Sequence, residues 1–111
     1  MPLVLLDFDY KTLNDNVLLS WTTEQDINVT EFVIEKAGKT LSWQQLGNIT
    51  SKNNYSKTNY EFYDNALIGI NYYRLKITDN DGSVYYSPVI SYNMNTDDVF
   101  TSYPNPCIGT T

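Results

Sequence analysis

The sequence predicts an all-β protein built as an antiparallel β-sandwich of about seven strands. Apolar and polar residues alternate with a period of two in successive short stretches, which is the pattern of half-buried strands. Polar or turn-forming segments separate these stretches, and no segment shows a convincing helical period. A small closed barrel is the alternative, but Pro88 and the polar segment 51–59 indicate sheet edges, which a closed barrel lacks.

Three strands are predicted before residue 36. Residues 4–10 alternate from the start, with aspartates on the polar face. An Asn-Asp-Asn turn follows, and the stretch NVLLSWTT (residues 16–23) then places Trp21 on the apolar face. Residues 24–28 are mostly polar and predict a loop, after which residues 31–35 alternate again.

The middle of the chain is less regular. Residues 40–49 predict a strand, but Trp43 and Leu46 differ in parity, which indicates either a bulge or a register that the sequence does not fix. Residues 51–59 form the most polar stretch and predict a mobile loop near an edge. Residues 60–63 alternate and predict the next strand.

A hairpin is predicted near the end of the alternating region. Residues 72–77 alternate, and the Asp-Asn-Asp-Gly sequence at 79–82 is a strong turn signal. Residues 84–92 predict the return strand, which Pro88 interrupts, and this favours an edge position or a kink. The inward-facing residues are predicted to be Val4, Leu6, Phe8, Val17, Leu19, Trp21, Phe32, Ile34, Tyr60, Phe62, Tyr73, Leu75 and Ile77.

Composition excludes several functions. The 111 residues contain no histidine and one cysteine, which excludes an intrachain disulfide and the histidine-dependent nucleophile pairs. The net charge of −6 makes the chain a poor ligand for nucleic acid or an anionic membrane surface. No apolar run approaches the length of a bilayer span, so no membrane insertion is expected. We expect no enzyme activity, no cofactor and a monomer.

Two passages carry a resemblance to a known family. VLLSWTT, with Trp21, and LIGINYYRLKITDNDG, with Leu67, Gly69 and Tyr73, resemble the fibronectin type III fold, an immunoglobulin-like sandwich. The turn departs from the family's usual Pro-Gly pair, because Gly69 is followed by Ile70.

A narrower resemblance covers nearly the whole chain. PLVLLDFDY, NVLLSWTTEQDINVTEFVIEKA, YEFYD, NYYRLKITDNDGSVYYSPVI and SYPNP resemble the fibronectin-like module that precedes the C-terminal sorting domain of secreted Bacteroidota proteins. Tyr103, Pro104, Asn105 and Pro106 match the opening motif of that domain, which the type IX secretion system reads. An ordinary proline-bearing linker is the alternative for this motif.

The resemblance implies a domain organisation and a location. Residues 1–95 would form the fibronectin type III-like sandwich, and residues 96–111 a linker with the truncated start of the sorting domain. We expect this tail to be poorly ordered by itself, since its prolines prevent regular pairing. The protein would be secreted or displayed on the outer cell surface. Its partners would be adjacent domains of the same chain and, through the complete sorting domain, the secretion machinery.

Three tyrosines form a candidate ligand face. Tyr63, Tyr72 and Tyr85 are expected to face away from the core and to be exposed, where aromatic rings can stack on sugars. Cross-strand aromatic pairs that only stabilise the sheet are the alternative. Asp79 and Asp81 suggest a calcium loop, but no late glutamate follows, so a hairpin turn is the preferred interpretation.

Two functions are therefore expected. The first is a non-catalytic spacer or presentation module of a larger secreted bacterial protein, next to its C-terminal secretion signal. The second is a binding module for polysaccharide or another cell-surface component, using exposed tyrosines. A paired-carboxylate hydrolase using Asp7 and Asp9 is disfavoured, because both lie on one face of an edge-like strand rather than across a cleft.

Overall fold

The computed structural model of the chain describes residues 5–14 and 16–94. This part of the chain is an antiparallel β-sandwich without helices, and the predicted fold class is confirmed. Its strands are β1 (Leu5–Leu13), β2 (Asn16–Thr23), β3 (Val29–Ala37), β4 (Gln44–Thr50), β5 (Thr58–Asn65), β6 (Gly69–Asp79), β7 (Val84–Tyr86) and β8 (Ile90–Met94).

Two sheets enclose the core. The three-stranded sheet has the order β1-β2-β5, and the five-stranded sheet has the order β4-β3-β6-β7 with β8 also paired to β6. Trp21 is fully buried, stacks on Tyr60 at 5.6 Å between ring centroids, and lies 5.7 Å from the Phe32 ring of the opposite sheet. Burying such large aromatic surfaces provides much of the hydrophobic stabilisation of a small domain.

Most of the predicted core is buried. The predicted residues with at most 4% exposure are Val17, Leu19, Trp21, Phe32, Ile34, Tyr60, Tyr73, Leu75 and Ile77. Phe8 and Phe62 are half-buried and pack against this cluster. Val4 lies outside the described residues.

The prediction for Leu6 is wrong, because a bulge changes the register of β1. Leu5 pairs with Thr23 and Asp7 with Thr22, so Leu6 is the extra residue. Leu6 is consequently 45% exposed, whereas Leu5 packs against the core. A one-residue bulge moves the following side chains to the opposite face, which simple alternation cannot anticipate.

The predicted return strand is divided into β7 and β8 around Pro88. Both pair with β6, and Ser87 bridges the interruption: its backbone N–H donates to the carbonyl of Leu75 at 2.9 Å, and its Oγ accepts from the Leu75 N–H at 2.8 Å. The side chain of Ser87 thus replaces a ladder contact at the interruption. The edge position predicted from Pro88 is confirmed, since β7 and β8 lie at the end of the described sheet.

The predicted bulge near Leu46 is also confirmed. The register of β3 and β4 shifts between Ile34 and Glu35, and Leu46 is the residue of β4 that pairs with neither. Next to it, Gly47 approaches the ring of Phe62 so closely that a Cβ would lie 3.0 Å from Phe62 Cε1. A larger residue at position 47 would therefore push the edges of the two sheets apart.

The strands run between two ends of the sandwich. At one end, which we call the Asp26 pole, β2 ends at Thr23 and β3 begins. At the other end, the Asp64 pole, β5 ends and β6 begins at Gly69. Leu5 pairs with Thr23 and Met94 pairs with Gly69. The described chain therefore enters at the Asp26 pole and leaves at the Asp64 pole, about 33 Å away by the length of β6.

Candidate functional site

The structure does not bring the three predicted tyrosines onto one face. Tyr63 is 61% exposed and lies on the outer face of the three-stranded sheet, whereas Tyr72 lies on the outer face of the other sheet. Tyr85 pairs with the core residue Ile77 and packs against the core, so its predicted outward orientation is wrong. Only the middle side chain of the three-residue strand β7 turns inward, and this side chain is Tyr85.

The predicted sorting motif, Tyr103, Pro104, Asn105 and Pro106, lies outside the described residues. The second predicted domain, 96–111, lies outside them as well.

A different array occupies the outer face of the five-stranded sheet. The guanidinium carbon of Arg74 lies 4.2 Å from the centroid of the Trp43 ring and 4.3 Å from that of the Tyr86 ring. Glu35, directly opposite Arg74 on β3, accepts a hydrogen bond from Arg74 Nε at 2.7 Å. We call Trp43, Arg74, Tyr86 and Glu35 the arginine stack. Flat contacts of this kind combine cation–π attraction with stacking of planar groups.

The arginine stack is partly accessible to solvent. Tyr86 is 53% exposed, and the side chains of Arg74 and Glu35 retain 23% and 15% exposure. On the same face Val33 and Ala37 are buried although their side chains point away from the sandwich interior. Larger neighbouring side chains must therefore cover parts of this face, which stabilises the outer surface as well as shaping it.

Sequence reasoning did not find the arginine stack. Alternation along residues 72–77 placed Arg74 on the outer face together with Tyr72, whereas Tyr86 was not assigned to that face because its neighbour Tyr85 was expected there. The position of Trp43 could not be inferred, because it precedes a bulged strand. A positively charged residue in the centre of an alternating strand was the available signal.

Asp26 organises the first pole. It is 1% exposed and accepts hydrogen bonds from the Tyr60 hydroxyl and, at 2.6 Å, from the backbone N–H of Asn54. Its own N–H donates to the carbonyl of Asn54, and its carbonyl accepts from Ser51 Oγ. The loop predicted over residues 51–59 ends at residue 57, because β5 begins at Thr58, and a buried carboxylate attaches this 51–57 segment to the sandwich.

Asp64 organises the second pole. Its Oδ2 accepts hydrogen bonds from Lys36 Nζ at 2.6 Å and from the Tyr73 hydroxyl at 2.7 Å. Asp64 belongs to the three-stranded sheet, whereas Lys36 and Tyr73 belong to the five-stranded sheet. The ion pair therefore joins the two sheets, with each side chain 14% exposed.

Both tyrosines in these networks resist ionisation. Burial and then the hydrogen bond to Asp64 raise the pKa of Tyr73 far above its usual range. Burial and then the hydrogen bond to Asp26 raise the pKa of Tyr60. Neither hydroxyl is poised to act as a base near neutral pH, and their role here is to donate hydrogen bonds.

The remaining acidic candidates are engaged in turns or exposed. The Asp81 carboxylate accepts a hydrogen bond from the Ser83 N–H at 2.9 Å, which lowers the pKa of Asp81, and the Asp79 carboxylate accepts from the Asn80 N–H. Asp7 and Asp9 are exposed on an edge strand. Within residues 5–14 and 16–94 no cluster of three or more acidic, cysteine or histidine side chains could hold a metal ion.

An open groove lies near the Asp64 pole, with a volume of about 420 Å³. It is lined by Asn16, Leu46, Phe62, Tyr63, Asp64 and Asn65. Its acid, Asp64, is committed to the ion pair with Lys36, and the groove offers no second titratable group among its lining residues except Tyr63. This arrangement lacks the converging acid, base and nucleophile of a catalytic centre.

No helix in the described part of the chain has the length and apolar character needed to cross a membrane. Compared with known proteins, the chain matches no family model, and no curated protein matches it significantly in sequence.

Proposed function

We propose that this chain is a non-catalytic spacer module that presents neighbouring parts of a larger secreted or cell-surface bacterial protein at a fixed separation, next to a C-terminal secretion signal. The observation that carries the proposal is the path of the chain: β1 begins at the Asp26 pole and β8 ends at the Asp64 pole. Whatever is attached at the two ends would be held apart by the length of the sandwich.

The construction of both poles supports a rigid separation. Asp26 attaches the 51–57 segment to the sandwich, and Asp64 joins the two sheets through Lys36. Buried polar groups with satisfied hydrogen bonds favour one arrangement over alternatives. A module held together in this way should keep its two ends at a fixed separation rather than bend near them.

The strand order supports the fibronectin type III or immunoglobulin type that we propose for this sandwich. If β7 and β8 count as one interrupted strand, the first, second and fifth strands share one sheet, and the third, sixth and seventh share the other. This division is the one found in immunoglobulin-like sandwiches. The proposed secretion route, through the type IX system, rests on the resemblance of Tyr103–Pro106 to the sorting motif.

The absence of enzyme activity is part of the proposal. The sequence contains no histidine, and the carboxylates of Asp26, which is buried, and of Asp64, which is partly exposed, are each held by structural hydrogen bonds. The alternative of a sugar platform built from Tyr63, Tyr72 and Tyr85 loses support, because these residues occupy different surfaces.

Single-molecule energy transfer tests the spacer function. Fluorescent proteins fused before and after residues 5–94 should give one narrow transfer efficiency. A Gly/Ser chain of equal length should give a broad distribution, with a root-mean-square separation of about 50 Å between its ends. Unfolding the module with urea should shift its distribution towards that of the flexible chain. A module whose distribution matches the flexible chain from the outset would contradict the proposal.

A second arm addresses secretion. A reporter enzyme is placed before the module and a complete sorting domain after it, in a bacterium that has type IX secretion. Display of active reporter should fall when the module is replaced by the flexible chain and persist with the exposed-residue variant Tyr63→Ser. Equal display with either linker would show that separation is irrelevant.

A further inference from the structure

The arginine stack presents donors that no described residue uses. Arg74 Nε is bound to Glu35, and no described residue accepts a hydrogen bond from its two Nη groups. Nor does any described residue accept from the Trp43 indole N–H or the Tyr86 hydroxyl. Tyr86 is 53% exposed and the Arg74 side chain retains 23% exposure, so part of the arginine stack is open to solvent.

Stacking holds the guanidinium in place before any ligand arrives. The two rings lie within 4.3 Å of its central carbon, and the Glu35 carboxylate fixes its Nε edge. An arginine side chain normally loses much rotational freedom on binding, and one that is already held loses less. The free Nη edge is therefore a preorganised fork with the geometry that suits a carboxylate.

We propose that this outer face binds a carboxylate-bearing sugar unit of an acidic polysaccharide, with Arg74 holding the carboxylate. Trp43 and Tyr86 would flank the sugar ring and donate to its hydroxyl groups. The site goes beyond the spacer function and uses residues other than the predicted tyrosine face. Formal charge does not oppose an acidic ligand locally: Glu31 and Glu35 balance Arg74 and Lys76 on β3 and β6, so the face is neutral although the chain carries −6.

The shape of the face favours a saccharide over a peptide. Peptides are usually recognised by strand addition at a sheet edge, by a groove for a helix, or by pockets for side chains. Arg74 lies on β6, which pairs with β3 on one side and with β7 and β8 on the other, so in the described sheet strand addition is open only at the outer strands and not along β6 itself. The described groove is on another surface, lined by β2, β4 and β5 residues. Planar rings and a planar cation on a sheet face instead suit the flat faces and equatorial groups of a sugar.

Nuclear magnetic resonance titration of the whole chain tests the proposal with one matched pair of probes. The first probe is a trigalacturonate oligomer, and the second is the same oligomer with its carboxylates methyl-esterified. The acid should shift the Trp43 indole N–H and Arg74 Nε–H signals with a dissociation constant of about 1 mM or below. The ester should bind at least about tenfold more weakly, because it cannot pair with the guanidinium fork.

Variants locate the site. Arg74→Lys keeps the charge but removes the fork and should weaken acid binding by about tenfold or more. Lys11→Gln, an exposed charge change on the opposite sheet, and Tyr63→Ser should leave the binding unchanged. If Arg74→Lys unfolds, the comparison of acid with ester on the unsubstituted chain still decides.

Four results would overturn the proposal. They are the absence of shifts with the acid, equal binding of acid and ester, equal or tighter binding of an oligoglutamate peptide to the same signals, and shifts that depend on protein concentration without a ligand. The second would indicate a neutral-sugar site, the third a peptide site and the fourth a contact between copies of this chain.

Discussion

Each pole of the sandwich is organised by one carboxylate, buried in the case of Asp26 and partly exposed in the case of Asp64, and the two carboxylates are compensated differently. Asp26 is held by neutral donors: the Tyr60 hydroxyl, the Asn54 N–H and, at 3.5 Å, the Thr23 hydroxyl. Asp64 is held by a cation, Lys36, together with the Tyr73 hydroxyl. The same residue type is thus stabilised by hydrogen bonding at one end and mainly by ion pairing at the other.

The difference corresponds to what each pole must hold. The Asp26 network fixes backbone groups of a connecting segment, and backbone N–H groups are the donors that such a segment offers. The Asp64 network joins side chains of two sheets, where a long lysine can span the gap. Losing Asp26 should therefore leave several polar groups without partners, whereas losing Lys36 leaves one carboxylate near solvent.

Trp21→Ala should have the largest effect, because Trp21 supports the Asp26 pole through its stacking on Tyr60. We expect a loss of about 3–5 kcal/mol in the free energy of unfolding, measured by urea denaturation. Trp21→Phe should cost less, since it keeps a ring and removes the indole N–H, which has no partner among the described residues. An unchanged midpoint for Trp21→Ala would contradict the core assignment.

Asp26→Ala should destabilise the domain by about 2–4 kcal/mol, because the Asn54 N–H and the Tyr60 hydroxyl lose their acceptor in a buried site. Asp26→Asn retains one acceptor oxygen and should cost less. Asp7→Ala, at an exposed position, is the matched control and should change stability by less than about 0.5 kcal/mol. Equal effects of the two alanine variants would show that Asp26 does not hold the 51–57 segment.

Lys36→Met should lower the free energy of unfolding by about 1–2 kcal/mol. Breaking a fully buried ion pair would cost more, but both side chains of this pair are partly exposed. The double variant Lys36→Met with Asp64→Leu should cost less than the two single variants together, because it leaves no unpaired charge, although the Tyr73 hydroxyl loses its acceptor. Lys39→Met, at an exposed position, serves as the control. If the double variant lost more free energy of unfolding than the two single variants together, charge compensation at this pole would be contradicted.

Alkaline pH should also lower the free energy of unfolding, by acting on both poles, but by less than the substitutions above. The pKa values of Tyr73 and Tyr60 are raised in the folded state, so their contribution is fully present below the unfolded tyrosine pKa of about 10 and is lost as the pH rises towards the folded values. For Tyr73 the loss at pH 11 should be about 1 kcal/mol. Denaturation midpoints between pH 8 and about 11 measure it, and Tyr73→Phe should flatten the dependence. A Tyr73→Phe variant with an unaltered slope would contradict this assignment.

Much of the sandwich was predictable from alternation. Residues 16–23 were placed with the bounds observed for β2, and Trp21, Tyr73 and Leu75 were correctly assigned to the core. Such segments are predictable because a strand with one buried face must repeat its apolar residues every second position. The turn at 79–82 was equally clear, since its carboxylates accept hydrogen bonds from backbone N–H groups in the turn and directly after it.

The candidate sites were much less predictable. The arginine stack combines Trp43 from the segment before β4, Arg74 from β6 and Tyr86 from β7. No sequence spacing relates these three positions. The inward orientation of Tyr85 depends on its pairing with Ile77, and the exposure of Leu6 depends on a bulge in β1. Each of these is set by register between strands, which a single sequence does not specify at bulges.

Local alternation and turn chemistry alone were sufficient to determine an all-β chain, its main strands and the central residues of its core, because these properties depend on neighbours in sequence. Tertiary structure decided which strands share a sheet, which face each tyrosine occupies, and that Asp26 and Asp64 become the ties of opposite poles. The physical reason is that Asp26 meets Asn54 and Tyr60, and Asp64 meets Lys36, only after distant strands have paired. A carboxylate that looks like any surface acid in the sequence acquires its role from the partners that folding brings to it.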